Sequence, residues 1–142
     1  MQTRRGSTLK GVITISLMAV NVVFWVPILL VVALAKLIIP LAAWRRWTSA
    51  LMIWIAQAWI SCNGAIFGLM GALRLEVDGV EGLDPRTWYL VLSNHQSWVD
   101  ILVLQKAFNR RIPFLKFFLK QQLIWVPLLG LAWWALDFPF MK

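Results

Sequence analysis

"GVITISLMAVNVVFWVPILLVVALA", residues 11–35, runs for twenty-five residues without a charged side chain. A helix that crosses the hydrocarbon core of a bilayer needs about 20 such residues. A second uncharged run, WTSALMIWIAQAWISCNGAIFGLMGA at 47–72, extends for twenty-six. These two runs concentrate an excess visible in the whole chain of 142 residues, which is 61% hydrophobic and holds ten tryptophans. Charged residues make up 14%, against about 25% in an ordinary soluble domain. The chain reads as a membrane protein.

A secretory signal would also begin with basic residues, here Arg4, Arg5 and Lys10, and Ala33-Leu34-Ala35 resembles a cleavage site. Its apolar region would be about 7–15 residues, and this run is too long. Three basic residues precede the first run, and Lys36, Arg45 and Arg46 follow it. Orientation by the positive-inside rule needs an asymmetry, and these counts are equal. Pro27 falls within the run and Pro40 after it, where each is expected to interrupt a straight helix. Two arrangements satisfy these features: a bent hairpin dipping in from one face, and two full spans joined near 36–46.

The net charge of +8 comes from fourteen basic and six acidic residues. The basic residues flank apolar segments and form no separate soluble face, which argues against a nucleic-acid partner. Anionic headgroups or a phosphorylated substrate fit better. Cys62, the single cysteine, has no intrachain disulfide partner, and one His with one Cys cannot build a zinc site.

Beyond the second run the periodicity changes. LRLEVD (73–78) alternates as a strand does, and TWYLVL (87–92) reads as a buried strand between turn formers. SWVDILVLQKAF (97–108) predicts a helix, with Asp100 near its start and Lys106 near its end. IPFLKFF (112–118) predicts a third strand, and ALDFPF (135–140) the start of a fourth. LIWVPLLGLAWWAL (123–136) is apolar but too short to span. Strand, helix, strand implies an α/β fold with a mainly parallel sheet. The expected organisation is a membrane-anchoring helical hairpin over 1–72, then an α/β domain over 73–142. Seventy residues give such a domain little burial, so the chain reads as truncated.

The one histidine lies where the second strand would pass into the helix, in SNHQSWVD (93–100). In open α/β sheets ligands bind in that crevice. Imidazole titrates near pH 6.5, so it can take a proton near neutrality, and a carboxylate can hold its tautomer and stabilise the imidazolium. On a regular helix, His95 and Asp100 would diverge by about 140°. They can pair only if His95 precedes the helix and Asp100 sits in its first turn. A plainer reading makes Ser97 and Asp100 a capping box, with His95 idle in the loop. Asn94 could equally supply the cap. Ser93 and Ser97 lack the small-residue elbow of a hydrolase nucleophile.

Asn94-His95, four residues, then Asp100, with Ser97 two after the histidine, resembles the first motif of the glycerophospholipid acyltransferases. That family includes the lysophosphatidic acid acyltransferases. Val77-x-Gly79-x-Glu81-x-Leu83 resembles the approach to the motif, and Lys120-Gln121-Gln122-Leu123-x-x-x-Pro127-x-x-Gly130 the second block. The bacterial and lysocardiolipin-type branch is the nearest in pattern. The resemblance implies that His95 deprotonates the hydroxyl of a lysophospholipid while Asp100 orients it. The donor would be an acyl thioester on coenzyme A or acyl carrier protein, with no cofactor or metal. Lys120 would face the acceptor's phosphate, where its plainer reading is a snorkelling surface lysine. The arginine that usually closes the second block, and the Glu-Gly-Thr-Arg-type motif beyond it, are not among the 142 residues. A non-catalytic remnant or small membrane partner is therefore the alternative function. The expected location is a membrane, of the bacterial inner-membrane type, with His95 on the cytoplasmic side near the bilayer surface.

Overall fold

The computed structural model describes residues 4–71 and 75–142. Its two longest elements are α1 (Arg4–Ile38) and α2 (Ala42–Met70). At 1.5 Å per residue they measure about 52 Å and about 43 Å, and both are long and apolar enough to cross a membrane. Residues 39–41, including Pro40, separate them. Pro27 was expected to interrupt α1 as well, yet the helix continues through it. Proline withholds one backbone donor, a loss that a helix of this length spreads over many remaining bonds.

The helices run antiparallel, as two side-chain bonds show. Asn21 donates to the Trp59 carbonyl at 3.3 Å, and the Trp44 indole N–H donates to the Ala35 carbonyl at 3.0 Å. Ala35 lies in the last turn of α1, where carbonyls have no partner within the helix. Trp44, in the first turn of α2, supplies one. Buried positions follow helical spacing: Val26, Leu29 and Ala33 on α1, and Thr48, Met52, Ile55 and Ala56 on α2. Thr48 is fully buried because its hydroxyl donates back to the Trp44 carbonyl at 2.8 Å. The other faces remain apolar and exposed, among them Val20, Val23, Val31, Leu34 and Leu37 on α1. A helix hydrophobic all round suits lipid better than water. Gly71 ends α2 in the left-handed conformation, at φ +59°, as a helix C-terminus favours.

The remaining elements are α3 (Trp98–Phe108), β1 (Leu119–Lys120), a 3₁₀ turn (Gln121–Trp125), α4 (Leu129–Ala135) and β2 (Phe140–Met141). β1 and β2 pair in parallel, Leu119 with Phe140 and Lys120 with Met141. Parallel neighbours require a crossover of a dozen or more residues, and the 3₁₀ turn and α4 supply it. The α/β pattern is thus present in miniature. Buried side chains of the crossover and β strands include Leu119, Ala132, Ala135, Leu136 and Phe138.

The crossover turns sharply at Pro127–Leu129, where the Leu129 N–H reaches the Pro127 carbonyl at 2.7 Å. Leu128 lies at φ +62° within this γ-turn, a strained conformation for a residue with a side chain. Two residues on, a Cβ at Gly130 would overlap the carbonyl group of Ile124 and lie 3.0 Å from its Cα. Only glycine fits.

Three expected strands are absent from the described residues. Residues 73 and 74 lie outside the description, and 75–78 have no regular structure. Residues 87–92, expected to be buried, stand open, with Trp88 90% exposed. The expected strand at 112–118 is displaced to β1. Alternation prepares a segment for a sheet, but the strand forms only where a neighbour completes its ladder. Among the described residues no strand lies beside 87–92.

The described residues form two compact units. One holds 60–115 with α1 up to Ala19, and the other holds 20–59 with 116–142. In the second, Lys36 pairs with Asp137 at 3.8 Å, and Lys116 donates to the Asp137 carbonyl at 3.2 Å.

Candidate active site

The site lies on the approach to α3, in the unit formed by 60–115. Residues 90–96 have no regular structure, Ser97 is the N-cap of α3 and the helix begins at Trp98. His95 therefore precedes the helix, and Asp100 is its third residue. This geometry lets the two side chains meet: His95 Nδ1 lies 3.5 Å from Asp100 Oδ2. That distance exceeds a tight hydrogen bond. The His95 side chain is 60% exposed and that of Asp100 30%.

Asp100 is held by the backbone it caps. The N–H groups of Gln96 and Ser97 donate to Oδ2 at 2.6 and 2.7 Å, and the Ser97 hydroxyl lies 3.4 Å from Oδ1. The carboxylate half of a capping box and the contact with His95 therefore share one residue. The two readings of Asp100 are compatible, because Oδ2 serves the backbone and faces the imidazole at once.

These bonds hold the Asp100 carboxyl below its ordinary value of 3.8, with the Ser97 N–H first in effect, the Gln96 N–H next and a smaller contribution from His95. A carboxyl lowered on folding binds its proton more weakly in the folded chain than in the unfolded one. Its contribution is complete above the unfolded value and is lost as pH falls through the folded one. The start of α3 is expected to stay ordered on acidification through pH 4 (about the unfolded carboxyl value) and to loosen only below it. A carboxyl-carbon NMR titration of Asp100, with amide exchange at Gln96 and Ser97, measures this; loosening already at pH 5 would contradict it.

The other predicted residues fall as follows. Asn94 lies in the loop, where its carbonyl accepts the Ser93 hydroxyl at 3.0 Å. Lys120 belongs to the other unit, where it is exposed at the C-terminal end of β1. In parallel sheets ligands gather at the carboxyl ends of strands. The backbone donors of Gln96 and Ser97 were not legible as site groups, since any residue supplies an N–H. Among the described residues no group of three or more His, Cys, Asp or Glu could hold a metal ion.

The family comparison falls on this same half of the chain. Residues 74–142 match the Acyltransferase family. Over 70 residues the chain is 34% identical to 1-acyl-sn-glycerol-3-phosphate acyltransferase alpha of Mus musculus, covering 49% of this chain and 23% of the mouse protein. The chain thus spans about a quarter of that relative's length. No solved structure matches.

Proposed function

We propose that the chain is the anchoring and base-bearing part of an O-acyltransferase that transfers a fatty acyl group from a thioester to the free hydroxyl of a lysophospholipid. The observation that carries this reading is the His95–Asp100 pair, at 3.5 Å, within the segment that matches the acyltransferase family. With Nδ1 turned to Asp100, the opposite ring nitrogen, Nε2, takes the proton of the acceptor hydroxyl. The alkoxide attacks the thioester carbonyl, and the tetrahedral adduct collapses by breaking the carbon–sulfur bond. The leaving thiolate takes the proton back from the imidazolium. Asp100 stabilises that imidazolium while it exists. No serine or cysteine nucleophile is needed.

Lys120 binds the acceptor's phosphate, and the donor is an acyl thioester carried on coenzyme A or acyl carrier protein. α1 and α2 form the membrane anchor over 1–72, and 73–142 belong to the catalytic domain. The same proposal places the chain in the bacterial and lysocardiolipin-type branch, in the inner membrane, with His95 on the cytoplasmic side. Substrate tails then stay in lipid while polar ends reach the site, which avoids the cost of about 0.8 kcal/mol for exposing each CH₂ to water.

The test is acyl transfer by the full-length protein in membranes, with a radiolabelled acyl thioester and lysophosphatidate. Labelled phosphatidate is the expected product. Labelled free fatty acid alone would identify a hydrolase, and no product would favour a non-catalytic membrane protein. A Lys120→Ala variant is expected to raise KM for the acceptor about tenfold, as loss of one charged hydrogen bond does.

A further inference from the structure

α3 carries Asp100 in its first turn, and its far end rests on α2. The Asn109 side-chain amide, at the C-cap of α3, donates to the Ser61 hydroxyl at 2.9 Å. One turn along α2, Gly64 leaves room for the Lys106 stem, whose Cγ, Cδ and Cε lie 3.6–3.7 Å from where a Cβ would stand. Ser61 and Gly64 are three apart on α2, and Lys106 and Asn109 three apart at the end of α3. Side chains at that spacing share a helix face, so the two contacts join one face of each helix. Nearby in the same unit, Ile60, Asn63 and Phe67 of α2 and Ile112 beyond α3 are buried.

α3 has eleven residues and none of them is buried. Isolated helices shorter than about 12–15 residues are marginal in water. Residues 100–108 of α3 are half-buried, and contacts at its two ends add to what fixes its direction. Asp100 holds one end. Asn109 and Lys106 hold the other.

We infer that Ser61 and Asn109 are positioning residues: their hydrogen bond seats α3 on the second apolar helix and thereby sets where Asp100 holds the His95 ring. The inference rests on the function proposed above. The membrane helix then belongs to the scaffold of the site as well as to its anchor. A misplacement of about 1 Å can cost on the order of 100-fold in rate, so a contact that sets the tilt of α3 acts on turnover without touching substrate.

Two measurements on the full-length protein in membranes test this. In a Cys62→Ala background, Ser61→Cys with Asn109→Cys is expected to crosslink on mild oxidation at least about tenfold faster than Ser61→Cys with Ile101→Cys. Residue 101 is about 12 Å further along α3 at 1.5 Å per residue. Asn109→Ala is expected to lower kcat about tenfold, with KM within about twofold. The exchanged pair, Ser61→Asn with Asn109→Ser, restores the bond and is expected to restore kcat, which a general loss of stability would not explain. Crosslinking no faster than the control, or full kcat in Asn109→Ala, would overturn the inference. If the unaltered protein transfers no acyl group, the proposed function fails and the positioning role with it, while the crosslinking rate still decides whether α3 docks on α2.

Discussion

Replacement of His95 by alanine in the full-length protein is expected to lower kcat/KM for acyl transfer by about 10²–10⁴-fold, the usual worth of a positioned general base. The fold should be unaffected. The His95 side chain is 60% exposed and faces Asp100 at 3.5 Å, so its removal opens no cavity. Initial rates and thermal unfolding of the same preparation separate the two effects. A lower rate at unchanged melting temperature identifies the base, whereas full activity would remove it.

Gly130→Ala is expected to act in the opposite way, through the fold. A single methyl there would occupy space taken by the Ile124 backbone, which cannot swing aside as a flexible side chain can. Overpacking costs typically 1–3 kcal/mol, occasionally more, and a backbone obstacle belongs at the upper end. For a chain of this size about 3 kcal/mol corresponds to a fall of roughly 10 °C in melting temperature. Gly71→Ala provides the comparison. Gly71 has open space around it but lies at φ +59°, so alanine should cost only about 1 kcal/mol of left-handed strain. Equal melting temperatures for the two variants would show that the 124–130 turn yields more readily than its geometry implies.

The elements legible in the sequence were those whose cause is local. Twenty-five and twenty-six uncharged residues announced α1 and α2 by length alone. α3 was legible because Ser97 and Asp100 form a start signal that needs no distant partner. The parallel relation of β1 and β2 followed from the order of elements, but their positions did not. A two-residue strand is fixed by the register of its neighbour, and 112–118 carries no mark of that register. TWYLVL had the composition of a strand but no neighbour among the described residues to complete it.

The same division holds at the site. His95 and Asp100 were visible as residue types at a spacing, and the condition for their meeting, a helix beginning between them, could be stated beforehand. The Gln96 and Ser97 amides that hold Asp100 are backbone groups and leave no trace in the residue pattern. Asn109 and Ser61 are 48 positions apart, and neither is unusual in its own segment.

Because one carboxylate both faces His95 and ties down the start of α3, substitutions at Asp100 do not all carry the same genetic meaning. Asparagine keeps an amide oxygen that can accept the Gln96 and Ser97 amides while discarding the negative charge. Alanine discards both. The asparagine allele is therefore the separation-of-function lesion, a protein intact in shape and deprived of its charge, whereas the alanine allele mixes a chemical defect with a local folding one.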